Sequence, residues 1–140
     1  MRLPVSTMQP GRDEAASAPA PAAQRLRVLI VEDNPDARES LQLLIELAGH
    51  EVETAEDGPG ALDKFRAVIP DVALVDIGLP GMDGYDVARA VRQDPATRDV
   101  RLIALTGYGQ ADDKKKALAA GFDIHLAKPV DPQKLAELLS

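Results

Sequence analysis

The sequence predicts an α/β domain wound on both faces of a parallel sheet. Three observations point there. Four short runs, Val28–Val31, Val72–Val75, Leu102–Leu105 and Ile124–Ala127, are rich in Val, Ile, Leu and Ala on both faces. Strands covered by helices on both sides need that pattern. Segments with helical spacing separate these runs and a fifth, alternating one at Glu51–Ala55. Strict alternation of strand and helix implies right-handed crossovers and one parallel sheet.

Each element has a local cause. Ala37, Leu41, Leu44, Ile45 and Ala48 recur on one face of a first helix. Asn34 or Asp33 can cap it, Pro35 suits its first turn, and Gly49 stops it. His50, just after that glycine, reads as a surface residue. Gly60–Val68 makes a second helix, and Asp83 caps a third that runs to about Gln93. Ala111–Ala120 is a fourth, ended by Gly121. Asp131-Pro132 opens a fifth, with Leu135, Leu138 and Leu139 as its buried stripe. For five strands the commonest arrangement is flavodoxin-like, a doubly wound (βα)5 domain of order 2-1-3-4-5. It binds ligands outside the carboxyl ends of strands 1 and 3.

Composition narrows the function. The chain has 140 residues, 45% hydrophobic and 28% charged, with a formal charge of −7. Nucleic-acid binding needs clustered cations, so an acidic domain argues against it. There is no Cys, which excludes disulfides and thiolate metal sites. No apolar run approaches the roughly 18 residues of a membrane span, and Met1–Gln24 lacks the pattern of a secretory signal. A cytoplasmic protein without direct membrane contact is expected. Residues 1–24 hold four Pro and six Ala without apolar periodicity, and read as a disordered linker or tail. The folded domain is expected over 25–140, where the whole negative charge lies.

The residues that end the buried strands carry the chemistry. Strand 1 ends in Glu32-Asp33, strand 3 in Asp76, strand 4 in Thr106 and strand 5 in Lys128. The predicted order brings them to one rim. Three carboxylates there repel one another unless a cation intervenes. Oxygen-only ligands suit a hard ion, Mg²⁺ or Mn²⁺. A divalent ion, a lysine and a hydroxyl are also what an incoming phosphoryl group needs. An ionised Asp among them can act as nucleophile and hold an acyl phosphate.

These residues resemble a known family. Val28-Leu29-Ile30-Val31-Glu32-Asp33-Asn34 is similar to the opening of two-component response regulator receiver domains. So are Asp76-Ile77-Gly78-Leu79-Pro80-Gly81-Met82-Asp83-Gly84, Leu105-Thr106-Gly107 and Lys128-Pro129. The resemblance spans residues 25–140 with every element in order. It implies Asp76 as phosphoacceptor. It implies Asp33, Asp76 and the Gly78 backbone carbonyl as Mg²⁺ ligands, with Glu32 acting through water. Thr106 would be the switch hydroxyl, Lys128 the acyl-phosphate partner, and Lys128–Pro129 a cis bond. His125 stands where the family usually carries a Tyr or Phe that swings inward on activation. Gly78 and Tyr108 occupy positions that tune dephosphorylation. The output face would be helix 4, strand 5 and helix 5. The implied partners are a histidine kinase or a histidine phosphotransfer protein, and the implied state is monomer or weak dimer. The chain alone would be no enzyme beyond self-catalysed phosphoryl acceptance and loss.

A narrower resemblance concerns context. Thr106–Gln110 and Gly121–Pro132 look like receivers at the C-terminus of hybrid histidine kinases. Met1–Val5 resembles the last strand of a kinase ATP-binding domain, which would make the Ala/Pro-rich stretch an inter-domain linker. No DNA-binding or catalytic output domain is expected after Ser140.

Simpler readings stand beside these. Glu32-Asp33 alone is equally an N-cap, and Asp76 alone a turn residue. His125 alone reads as a half-buried histidine without a metal partner. Lys114-Lys115-Lys116 reads as a solvated helix face, with a docking surface as the alternative. Gly107-Tyr108-Gly109 and Gly58-Pro59-Gly60 are too short and misplaced for a dinucleotide fingerprint. Two other functional classes, and a stand-alone regulator, fit parts of the pattern. A Mg²⁺-dependent phosphatase with an Asp nucleophile would want a second Asp where Gly78 stands. A flavin module would want a phosphate cradle where the acidic Glu32-Asp33-Asn34-Pro35 loop lies.

Overall fold

The computed structural model describes residues 25–107 and 111–139, with the backbone alone at 111–114. The linker expected at 1–24, Tyr108 and the Lys114 side chain lie outside the described residues. The strands are β1 (Arg27–Val31), β2 (Glu51–Ala55), β3 (Val72–Asp76), β4 (Arg101–Thr106) and β5 (Ile124–Ala127). The helices between them are α1 (Pro35–Leu47), α2 (Gly58–Val68), α3 (Gly84–Gln93), α4 (Ala111–Ala120) and α5 (Pro132–Leu139). All pairings are parallel, in the order β2-β1-β3-β4-β5. This is the doubly wound, flavodoxin-like order expected.

Side chains of the central strands alternate between two cores, as the two-residue strand period requires. Leu29, Val31, Ala73, Val75, Leu102 and Ala104 pack on one face with Ala61 and Phe65 of α2, Val87 and Val91 of α3, and Ala117 of α4. Val28, Ile30, Val72, Leu74, Ile103 and Leu105 pack on the other with Leu41 and Ile45 of α1 and Leu135 and Leu139 of α5. Each large apolar side chain buried this way contributes roughly 2 kcal/mol.

The caps resolve several local choices. Asn34, not Asp33, caps α1, and its side chain accepts from the Ala37 N–H at 3.1 Å. That leaves the Asp33 carboxylate for other work. The second helix starts at Gly58 rather than Gly60, because Asp57 caps it through the Gly60 N–H at 2.8 Å. Asp83 caps α3 as expected. Two expected stripes are narrower than predicted: Leu44 and Leu138 are half-buried and Ala48 is exposed. His50 is not a plain surface residue. It is half-buried, and its Nδ1 accepts from the Leu26 N–H at 3.0 Å, tying the end of α1 to the start of β1.

The order of the sheet places the site. The chain leaves β1 toward β2 on one side and returns to β3 on the other. The crossovers diverge there, and a crevice opens over the carboxyl ends of β1 and β3. Gly84 keeps one wall of it tight. A Cβ at this position would lie 2.6 Å from Ile77 Cα and 2.7 Å from Asp76 O, so α3 can begin directly against the end of β3 only with glycine.

Candidate functional site

Three strand ends converge at this crevice. Glu32 follows β1, Asp76 ends β3 and Lys128 follows β5. Glu32, Asp33 and Asp76 each place a carboxylate oxygen within 4.8 Å of the others. Glu32 is 1% exposed and Asp76 8%, whereas Asp33 is exposed. The Lys128 Nζ donates to Glu32 Oε1 at 2.6 Å and to Asp76 Oδ2 at 2.9 Å. The other Asp76 oxygen accepts from the Gly78 N–H at 2.8 Å. The second Glu32 oxygen accepts from the Asn34 N–H at 3.2 Å. Among the described residues the Asp33 side chain carries no hydrogen bond or ion pair.

The loops are held from below. Glu32 donates its N–H to Ala55 O, and Ile77 donates to Leu105 O. Lys128 donates its backbone N–H to Thr106 O at 2.8 Å, so β4 carries the lysine to the crevice. The bond from Lys128 to Pro129 is cis, as the resemblance implied.

The electrostatics separate the two buried acids. Burial pushes the Glu32 carboxyl up, and Asp76 adds to that; Lys128 and the Asn34 N–H oppose it without cancelling it. Burial acts upward on Asp76 too. There the Lys128 ammonium, the Gly78 N–H and the Glu32 contact outweigh it, so Asp76 lies below the ordinary carboxylate range. Burial alone would lower Lys128, but its bonds to Glu32 and Asp76 raise it. The shared surroundings therefore push the two acids in opposite directions, Glu32 toward the neutral form and Asp76 toward the carboxylate.

The remaining predicted residues lie on the loop after β3 and on β4, α4 and β5. Thr106 is buried, and its hydroxyl donates to Leu126 O at 3.3 Å rather than to a carboxylate. His125 is half-buried on β5, in register with Ala104. Gly78 is exposed, and a Cβ there would sit 3.4 Å from Asp76 Oδ1. Lys115 and Lys116 are exposed. Arg38 was not singled out by the sequence, yet its Nη1 donates to the Glu32 carbonyl at 2.9 Å. The only sequence signal for it is a cation on the first turns of a helix that follows an acidic loop.

Three carboxylates cluster, one ammonium bonds two of them, all donors are oxygens, and one carboxylate is unbonded. This set fits a hard divalent cation of the Mg²⁺ or Mn²⁺ type.

The comparisons with known proteins agree with this geometry. A family model for the response regulator receiver domain matches residues 28–140. A gliding motility regulatory protein of Myxococcus xanthus is 40% identical over 109 residues. That match covers 78% of this chain but only 14% of the relative's length. The solved chemotaxis response regulator CheY4 of Vibrio cholerae is 32% identical with a TM-score of 0.77, over 82% of this chain and 96% of that one. The solved receiver domain of a Pseudomonas aeruginosa PAO1 sensor histidine kinase has a magnesium ion coordinated in its active site cleft. It is 32% identical with a TM-score of 0.76, over 82% of this chain and 94% of that one. From residue 28 to its end, this chain belongs to the response regulator receiver domain family of two-component systems.

Proposed function

We propose that Asp76 is the phosphoryl acceptor and that the crevice is a Mg²⁺-dependent phosphotransfer site. One observation carries this most directly. Asp76 is buried, pushed below the ordinary carboxylate range by its neighbours, and fixed through both oxygens by Gly78 N–H and Lys128 Nζ. A nucleophile needs that combination of charge and fixed orientation.

An Asp76 carboxylate oxygen attacks the phosphorus of a phosphohistidine. The O–P bond forms, the P–N bond breaks, and the imidazole leaves with the electron pair and takes a proton from water. Lys128, already on Asp76, offsets the charge of the phosphoryl oxygens. Thr106 gives up its bond to Leu126 O and turns its hydroxyl to the phosphoryl group. His125 and the surface of α4, β5 and α5 then repack. Asp33, Asp76 and the Gly78 carbonyl would hold the ion, with Glu32 acting through water. When bound, the ion supplies charge neutralisation at the phosphoryl oxygens. Slow loss of the phosphoryl group to water would be self-catalysed at the same residues.

The partner is a histidine kinase or a histidine phosphotransfer protein, in the cytoplasm. No helix among the described residues is long and apolar enough to cross a membrane. Likeness to a sensor-kinase receiver supports placement in a hybrid kinase, with residues 1–24 as linker and 25–140 as the receiver unit. A parent gene without kinase domains would overturn that placement in favour of a stand-alone regulator. The site itself is tested by intact mass after incubation with Mg²⁺ and acetyl phosphate. One phosphoryl adduct is expected, absent without Mg²⁺ and absent in Asp76→Asn. An adduct that survives Asp76→Asn places the acceptor elsewhere.

A further inference from the structure

Every polar group of Glu32 is engaged. Its N–H reaches Ala55 O at 3.1 Å, its carboxylate meets Lys128 Nζ and Asn34 N–H, and its carbonyl accepts from Arg38 Nη1 at 2.9 Å. Asp33 is the opposite. Its side chain is exposed and unbonded among the described residues, so only the backbone limits where its carboxylate can reach. That backbone lies past the end of β1, where the strand ladder no longer holds it. The peptide between Glu32 and Asp33 is planar, so whatever fixes the Glu32 carbonyl also fixes the plane from which the Asp33 Cα emerges. Arg38 does this from a firm base. Its own N–H donates to Asn34 O at 2.9 Å within the capped first turn of α1.

Where the guanidinium does not go is equally informative. Arg38 donates to the main chain between Glu32 and Asp33 yet forms no ion pair among the described residues. A guanidinium on Asp33 would compete with a cation for that carboxylate. One spent on a carbonyl leaves it open. We propose that Arg38 is a positioning residue for divalent-cation binding, clamping the Glu32–Asp33 peptide so that both carboxylates are presented to the ion. The inference rests on the function proposed above.

Charge and clamp predict opposite signs, which makes the test decisive. Removing a cation beside the site should tighten Mg²⁺ binding if Arg38 acts only through its charge. Loss of a group that orients metal ligands typically weakens affinity ten-fold or more. The experiment measures the Mg²⁺ Kd by isothermal titration calorimetry for the full chain and for Arg38→Met and Arg38→Lys. The Tm of each in EDTA runs alongside. We expect Arg38→Met to raise the Kd about ten-fold. Arg38→Lys, which keeps the charge on a single flexible donor, should recover part of that loss. A merely structural role would lower the Tm in EDTA and leave the Kd unchanged, which overturns the proposal. So does tighter binding by Arg38→Met. If Arg38→Met does not fold, Arg38→Lys decides, because wild-type affinity there overturns the clamp and weaker affinity supports it. Failure of the unmodified chain to bind Mg²⁺ overturns the proposed function and this inference together.

Discussion

At the amino end of the sheet, arginines close the fold; at the carboxyl end, three carboxylates meet one ammonium. Arg27 Nη1 donates to Val68 O at the end of α2, and Arg101 Nη1 to Leu138 O near the end of α5. Arg92 Nε donates to Gly121 O just past α4, and its Nη1 to Arg98 O and Val100 O. The C-terminal ends of these helices carry partial negative charge, so cations belong there. Gly121, at φ +118, lets Arg92 lie flat, since a Cβ there would come within 2.7 Å of Arg92 Cγ. The carboxyl end has no such balance, and Lys128 is shared between two buried acids while a third stands open. One end is built to hold the helices, and the other gathers more acids than the single ammonium bonded to them.

Removing the cation at each end should separate the two designs. Lys128→Met leaves Glu32 and Asp76 buried without their partner. It should cost about 3 kcal/mol, the low end for an orphaned buried pair, because the lysine side chain is 32% exposed. Urea unfolding checks this, and added Mg²⁺ should restore more stability than it adds to the unmodified chain. Equal Mg²⁺ stabilisation of the two proteins would mean that the lysine and the ion do not share the carboxylates.

Arg92→Met should cost less, about 2 kcal/mol, from the lost bonds to three main-chain carbonyls. The ion pair with Asp123 adds little, because the Asp123 side chain is 48% exposed. The Mg²⁺ Kd should not move. A shift of several-fold would show that the anchor at one end sets the geometry at the other.

The smallest effect is one of pH. Lys128 lies above its ordinary value because Glu32 and Asp76 oppose the effect of burial. A raised group contributes stability that is fully present below its unfolded value, near 10.4 for lysine, and lost as pH rises through the folded value. The gap in urea midpoint between the unmodified chain and Lys128→Met should therefore hold from neutral to mildly alkaline pH. It should close only above the ordinary lysine value. A gap that closes earlier would mean that the ammonium is not held by the pair.

Much of this was legible in the residues. Val28–Val31 and Val72–Val75 announce buried parallel strands because both faces are apolar, and side-chain burial is a local property of a pleated backbone. The residue after such a strand is pinned to one rim by the direction of the sheet, so Glu32, Asp76 and Lys128 could be placed together before any coordinates. The helix stripes were less legible. Leu44 and Ala48 have the right period, but the edge of a helix face is buried only if a neighbouring element reaches it.

Sequence alone therefore settled the element types, their order and which charged residues meet at the rim, since these follow from residue type and periodicity. Tertiary structure decided the pairings. Lys128 could have met any of three carboxylates, and with β5 in register beside β4 its ammonium bonds Glu32 and Asp76. His50 gained a partner only because α1 ends beside the start of β1. Arg38 and Arg92 found main-chain carbonyls that carry no mark in the sequence. Every residue has such a carbonyl, and only the folded chain leaves particular ones within reach of a guanidinium.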